Sequence, residues 1–306
     1  MPQNNKKYFR KEKRKRITQS SGTGRVENAV LDTLSYRSVF DYPMNFYQLS
    51  TFLLTKKRIS HAAVSVVLEK LLYENKIVEN NRKFSLRTAG LVPWRKRGKN
   101  SRKLLKKATR ATKILARIPW VVFVGVTGSV AAYNATKNDD IDLFIVTKTH
   151  RLWLTRGFVF VILKILGELR TDAKPSRKLC PNIFVDNNNL AWNKRNRNVY
   201  IAHEIVMLHP LFDREQTYFR FLKENNWAFN FFGNLQEPQY ELKTEKQKNN
   251  RLVNIFEKLA YKTQLAYMKD KKTIEITTQG VIHFNKSDNT KRILESFERL
   301  KAKLPT

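Results

Sequence analysis

The segment from residue 121 to residue 147 constrains the fold more than any other part of this chain. It reads VVFVGVTGSVAAYNATKNDDIDLFIVT, so one apolar run ends at Gly128-Ser129 and the next begins around Asp140 and Asp142. Both runs are rich in β-branched and aromatic residues, as buried strands are. The pattern predicts two strands of an α/β sheet, with a glycine turn and a pair of acids at neighbouring strand ends.

The residue types at these strand ends indicate phosphate and metal chemistry. Alternation along the second strand puts Asp140 and Asp142 on one face, and oxygen ligands of this kind favour Mg²⁺ or Mn²⁺. Gly128 allows the backbone to approach a ligand closely, and Ser129 would begin a helix whose free amides face an anion. The segment therefore predicts a site for a nucleoside triphosphate and a metal, as in-line nucleotidyl transfer requires.

A resemblance follows from these residues. Gly128-Ser129, ten further residues and then Asp140-Ile141-Asp142, between apolar strands, resembles the signature of the DNA polymerase beta-type nucleotidyltransferase superfamily. The motif itself lies at residues 128–142; the resemblance covers roughly 30 residues strictly, and the strand order extends it to about 118–190. The resemblance implies that the paired aspartates bind two metal ions and that Gly128 and Ser129 bind the triphosphate.

The resemblance also implies a third carboxylate on a later strand, and here the chain departs from the pattern. The candidate strand CPNIFVD carries Asp186 only at its far end, and Asn182 lies where an acid is expected. Asn182 can bind a metal through its carbonyl oxygen but cannot act as a base. We assign Asp186 provisionally as the third catalytic residue, with Asp172 in a predicted loop as the other candidate; Asp186 as a plain turn residue stays open.

The N-terminal third of the chain predicts a different kind of domain. Residues 1–24 form a basic tail that we expect to be disordered. Over residues 25–92, three amphipathic helical patterns are followed by a short hairpin with a turn at Asn80-Asn81, which is the order of a winged helix. Its third helix begins at a predicted Ser60 cap and has few side chains suited to reading bases. Duplex binding and a packing role both remain open for this domain.

The charge balance indicates a polyanionic partner. The 306 residues include 59 Lys and Arg against 26 Asp and Glu, a net charge of +33. No acid occurs between Asn80 and Asn138, and residues 93–117 predict a basic linker helix. Such a run favours nucleic acid, with RNA preferred and DNA possible, although an anionic membrane surface or a generally basic surface is the plainer alternative.

The rest of the chain completes the predicted architecture. Residues 118–198 predict the nucleotidyltransferase domain, and residues 199–306 a helical C-terminal extension; the fold class is thus mixed α/β with a winged helix in front. Cys180 is the only cysteine, and the sequence shows no signal peptide or spanning segment, so we expect a cytoplasmic protein without a membrane partner. His203-Glu204 does not have zinc-protease spacing, so we expect both to be surface or capping residues, and we expect Asp139 to be exposed to solvent.

The sequence therefore predicts an enzyme that transfers a nucleoside monophosphate from an NTP to an acceptor hydroxyl, with Mg²⁺ or Mn²⁺ and release of pyrophosphate. The acceptor would be RNA or another polyanion, while protein and small-molecule acceptors stay open. The alternative is a weak or inactive nucleotidyltransferase fold that binds nucleic acid or regulates through its winged helix. A third possibility is a partner-binding role on the same fold.

Overall fold

The computed structural model describes residues 23–86, 93–239, 251–268, 276–283 and 289–304. The predicted basic tail lies outside these residues apart from its last two positions, as does most of the polar stretch at 236–250. The chain forms two compact units. The first comprises Met1–Val92, Phe229–Gln236 and Ile293–Thr306, and the second comprises Pro93–Ala228 and Glu237–Arg292.

The first unit consists of helices and one hairpin around a small apolar core. Helix α1 covers residues 23–38, followed by α2 (Phe46–Thr51), α3 (His61–Tyr73), β1 (Ile77–Asn80) and β2 (Lys83–Leu86). The Ser60 side chain accepts a hydrogen bond from the Ala63 amide, which confirms it as the cap of α3. The order of helices and hairpin agrees with the prediction, whereas the winged-helix assignment itself stays a prediction.

The second unit is built on one mixed sheet, which confirms the predicted α/β fold class. Its strands are β3 (Val121–Val126), β4 (Ile141–Thr147), β5 (Leu179–Asp186), β6 (His209–Asp213), β7 (Ile276–Thr277) and β8 (Val281–His283), in the order β6-β3-β4-β5-β8-β7. Strands β4 and β5 are parallel, and the other neighbours are antiparallel. Strand β6 was not predicted, because its residues HPLFD show no clean alternation.

Helices cover both faces of this sheet. They are α4 (Trp94–Leu115), the single turn α5 (Gly128–Ala131), α6 (Leu152–Ile165), α7 (Val199–Val206), α8 (Thr217–Glu224) and α9 (Arg251–Met268). The last helix, α10 (Asn289–Ala302), is divided between the two units after Arg292. One face of β4 packs into the main core with α4 and α6. On the other face Phe144 contacts Phe221 of α8, with ring centroids 5.0 Å apart. The sheet is therefore a central layer, and polar groups reach a ligand only at strand ends or in gaps between helices.

Helix α9 holds the start of α6 through a buried acid. The amides of Trp153 and Leu154 donate to the two oxygens of Glu257, at 2.8 and 3.0 Å. A carboxylate at a helix start satisfies free amides and favours the positive end of the helix dipole. Within the described ranges, no helix combines the length and apolar character needed to cross a membrane.

Candidate active site

The turn between β3 and α5 forms one wall of the site. Gly128 has a φ of +66°, a conformation that favours glycine. A Cβ at this position would lie 3.0 Å from Asp142 Oδ2, so the backbone of Gly128 is pressed against that carboxylate. The Thr127 amide donates to the Asp142 carbonyl oxygen at 3.1 Å, which ties the turn to β4. Gly128 is required here both by its backbone conformation and by the space it leaves.

Asp140 and Asp142 lie together, as their alternation along the strand leads one to expect. Ligand atoms of Asp140, Asp142 and Cys180 all lie within 4.8 Å of one another, because the parallel register places Cys180 opposite Asp142. Asp140 Oδ2 is paired with Arg170 Nε at 2.7 Å. Asp142 Oδ1 accepts a hydrogen bond from Asn182 Nδ2 at 2.8 Å.

The site is strongly charged for its degree of burial. Burial raises the pKa of Asp142 to about 7, and the neighbouring charges of Asp140 and Glu204 add to the effect. Burial also raises the pKa of Cys180 to about 12, with Asp142 and Asp140 contributing, so the thiol stays protonated. Acids placed so close together favour a positive ion between them.

A β-bulge in strand β5 determines which of its residues faces Asp142. Leu143 lies opposite Pro181 and Phe144 opposite Ile183, so Asn182 is an extra residue in β5. The simple alternation from Asn182 to Asp186, on which the prediction relied, is broken at this point. Asn182 is left pointing at Asp142.

The structure does not bring Asp186 to the other predicted residues. Asp186 pairs with Thr147, five residues beyond Asp142 along β4, which is about 16 Å at the usual rise per residue. Its Oδ1 accepts hydrogen bonds from the Asn188 amide at 3.0 Å and from Asn189 Nδ2 at 2.7 Å. Asp186 does not line the cavity, and its contacts are those of a residue that closes a turn.

Glu204 of α7 is the acid that sequence reasoning missed. The Gly128 amide donates to Glu204 Oε2 at 3.2 Å, and burial raises the pKa of Glu204 to about 7, although the bond from Gly128 opposes the shift. The prediction placed His203 and Glu204 at the surface, but His203 is buried, with its Nδ1 2.9 Å from the Val199 carbonyl oxygen. The available signal was Glu204 lying beside the apolar face formed by Ile201 and Ile205.

Ser129 is held within its own loop. Its hydroxyl donates to Asp139 Oδ2 at 2.5 Å, and the Thr136 amide donates to the same oxygen at 3.2 Å. Asp139 therefore closes the loop between α5 and β4, contrary to the expectation that it is simply exposed to solvent. Ser129 does not line the cavity described next, whereas Gly128 does.

A cavity of about 910 Å³ opens on this cluster of acids. It lies within the second unit and is lined by apolar, aromatic and charged side chains. The charged groups are the acids Asp140, Asp142, Asp172 and Glu204 and the cations Arg156 and Arg170. The volume falls in the range of small-molecule and cofactor pockets.

The residues present fit a hard divalent cation. Asp140 and Asp142 offer carboxylate oxygens, which Mg²⁺ and Mn²⁺ prefer. Asn182 Oδ1 is buried, and the described part of the chain gives it no hydrogen-bond partner. An amide oxygen in that state is a suitable third ligand, since a cation would satisfy it.

Comparison with known families identifies the class of this domain. Residues 107–203 match the family model of the nucleotidyltransferase domain, a finding consistent with the DNA polymerase beta-type superfamily. The matched segment runs from the second half of α4 into α7 and ends one residue before Glu204. No curated protein and no solved structure matches the chain. The chain thus contains a nucleotidyltransferase domain, which supports nucleotidyl transfer as its general chemistry.

Proposed function

We propose that the second unit transfers a nucleoside monophosphate from an NTP to an acceptor hydroxyl, with Mg²⁺ or Mn²⁺, and releases pyrophosphate. The observation that supports this most is the position of Gly128, which lies against Asp142 in the lining of a 910 Å³ cavity. In this proposal Gly128 would approach the phosphates and Asp142 would bind the metal, side by side in the matched domain. The cytoplasmic location of the protein remains a prediction.

Each residue has a distinct part in this proposal. Asp140, Asp142 and the carbonyl oxygen of Asn182 would hold the cation, which when bound neutralises phosphate charge and polarises the α-phosphate. Gly128, which has no side chain, would let the triphosphate approach the backbone of the turn closely. Arg170 would exchange its bond to Asp140 for a phosphate, since guanidinium groups suit both partners.

A second candidate function has its own observation. Each of these groups already has a partner in the structure: Arg170 for Asp140, Asn182 for Asp142, and Glu204 for the Gly128 amide. A site whose polar groups are paired internally is what an inactive nucleotidyltransferase fold in a binding protein would show. This favours the regulator as the alternative.

A transfer assay with isosteric variants distinguishes the two functions. The protein would be incubated with each α-labelled NTP, Mg²⁺ or Mn²⁺ and bulk RNA, beside the double variant Asp140→Asn/Asp142→Asn. We expect the wild type to incorporate label and the variant to lose at least 1000-fold. Equal background incorporation by both proteins, with folding intact, would support the inactive binder.

We also propose that α4 guides a nucleic-acid acceptor. Two of its cations are used inside the domain, because Lys107 pairs with Glu168 at 2.5 Å and Arg97 donates to Asn134 Oδ1 at 3.1 Å. The helix contains no acid, and its other cations are exposed; these are Arg95, Lys96, Lys99, Arg102, Lys103, Lys106, Arg110 and Lys113. A row of exposed positive charge tracks phosphates without reading sequence.

Salt dependence tests this surface. We expect Lys99→Gln/Lys103→Gln/Lys106→Gln to reduce RNA affinity at low salt and to lower the slope of log affinity against log salt by about 2 to 3. The matched control, Lys223→Gln/Lys258→Gln/Lys262→Gln, removes three exposed lysines from α8 and α9. Equal losses in both variants would show that only net charge matters.

A further inference from the structure

Two acids, Asp142 and Glu204, lie against one glycine in the second unit, and Glu204 has no part in the transfer proposed so far. Asp142 Oδ2 lies 3.0 Å from where a Gly128 Cβ would be, and Glu204 Oε2 lies 3.2 Å from the Gly128 amide nitrogen. Glu204 and Asp142, one of the acids that would hold the cation, therefore both lie against Gly128. An acceptor hydroxyl that attacks the α-phosphate has to enter this same space.

Glu204 differs from the other acids of the cavity in its partners. Asp140 is paired with Arg170 and Asp142 with Asn182, and Asp172 is exposed in a loop. For Glu204, the described residues give only the hydrogen bond from Gly128, which occupies one carboxylate oxygen. The other oxygen is left to accept from a ligand in the cavity, and the bond to Gly128 fixes the orientation of the group.

The position of Glu204 suits a base better than a metal ligand. The acids whose ligand atoms converge within 4.8 Å are Asp140 and Asp142, joined by Cys180 and not by Glu204. Glu204 therefore lines the cavity and is outside the group of ligand atoms. A base must reach the proton that it removes, and a carboxylate in that position could reach an acceptor hydroxyl bound in the cavity.

We propose that Glu204 is the general base of the transfer, an inference that rests on the function proposed above. Its Oε1 takes the proton from the acceptor hydroxyl while the hydroxyl oxygen forms a bond to the α-phosphorus. The bond from the α-phosphorus to the oxygen that bridges to the β-phosphorus breaks, and pyrophosphate leaves with that electron pair. Glu204 holds the proton until product release returns it to solvent.

The electrostatics around Glu204 agree with this role. Burial raises its pKa to about 7, so the group is partly ionised and moderately basic at neutral pH. The titratable groups that interact with it are Asp142 of β4 and Tyr200 of its own helix, and Arg292 of α10 interacts with Tyr200. The charge of Glu204 is the largest cause of the raised pKa of Tyr200, which keeps that phenol neutral.

Substitution by the neutral isostere tests the assignment. Glu204→Gln keeps a carbonyl oxygen for the Gly128 amide but cannot take a proton. We expect kcat to fall at least 100-fold and the KM for NTP to change less than threefold. Glu204→Asp should recover part of kcat.

The control removes another buried glutamate of the same unit. Glu257→Gln weakens the start of α6 but lies outside the cavity, so kcat per folded molecule should stay within twofold of the wild type. Parallel variants Asp172→Asn and Asp186→Asn complete the set, because loss of kcat in either of them instead of Glu204→Gln would overturn the assignment.

Two further results would overturn it. An active wild type with more than a third of its kcat left in Glu204→Gln would exclude the base while leaving the transfer function intact. Tighter nucleotide binding and higher activity in Glu204→Gln would show that the carboxylate competes with phosphate for Gly128. A wild type inactive with every NTP and acceptor would reject the transferase itself, and the base with it.

Discussion

Two acidic centres, one in each unit, are built on opposite principles. In the first unit, Glu27 is paired with Lys70 at 2.6 Å and with Lys76 at 3.1 Å. Burial alone would raise the pKa of Glu27, but the two lysines outweigh it and the pKa is lowered. In the second unit, Asp142 and Glu204 share a cavity with few cations, and burial raises the pKa of each to about 7.

The difference is informative because cations are abundant in this chain. With 59 Lys and Arg against 26 acids, a buried acid that stabilises the fold easily finds a lysine, as Glu27 does. Acids that stay close together without enough positive charge cost stability. Such a cluster is what a binding site for a positively charged ligand requires, and in this chain the cluster lies in the second unit.

The largest effect should come from supplying the charge directly. Adding Mg²⁺ or Mn²⁺ at 100 times its dissociation constant should stabilise the wild type by about 2.7 kcal/mol. Asp140→Asn/Asp142→Asn should lose this ion-dependent gain, as measured by thermal unfolding with chelator and with increasing metal. An equal gain in both proteins would mean that the ion binds elsewhere.

The next effect concerns the glycine between the acids. Gly128→Ala should destabilise the second unit by about 2 kcal/mol, because the left-handed conformation strains alanine and the methyl group would meet Asp142. Gly167→Ala is the matched control, since Gly167 has a φ of +65° with no atom within 4 Å of its Cβ position. Denaturant unfolding should give the control about half the loss, and only Gly128→Ala should abolish transfer.

The sequence could predict the part of the site that depends on neighbouring residues along one strand. Asp140 and Asp142 share a face through simple alternation, and Gly128 precedes them across a single loop. The same local signals predicted the mixed α/β class and the cap at Ser60. These features rest on backbone geometry that repeats wherever the pattern occurs.

The rest of the site depends on contacts that no local pattern encodes. The bulge at Asn182 changes which residues of β5 face the cavity, and a bulge has no reliable signature in one sequence. Glu204 reaches Gly128 only because α7, 76 positions further along the chain, lies beside the turn between β3 and α5. The prediction for Asp186 relied on uninterrupted alternation along β5. It could therefore anticipate neither the bulge at Asn182 nor the contact between Glu204 and Gly128.

The pH dependence of stability should differ in sign between the two centres. The native pKa of Glu204 is about 7 and lies above its unfolded value, so the native state binds more protons between about pH 4.5 and 7. The contribution of Glu204 to the free energy of unfolding therefore falls as the pH rises from about 4.5 to 7. In chelator, Glu204→Gln should gain stability relative to the wild type by up to about 1.4 kcal/mol per pH unit.

Unfolding curves of the two proteins from pH 5 to pH 8 measure this difference. Comparing them cancels His209 and His283, whose lowered pKa values, caused by burial, act in the opposite direction. If the difference in unfolding free energy between the two proteins does not change from pH 5 to pH 8, the pKa of Glu204 is not raised in the native state.

The smallest effect is expected at the satisfied centre. Glu27→Gln removes two ion pairs whose lysines are partly exposed, so the loss should stay at or below about 1 kcal/mol near neutral pH. The native pKa of Glu27 is lowered, so its contribution is present above about pH 4.5 and disappears as pH falls through the native value. The wild type and Glu27→Gln should therefore converge in acid, when urea unfolding is followed from pH 7 to pH 3. If they instead converge as pH rises, Glu27 is an unsatisfied acid like Glu204, and the contrast between the two centres fails.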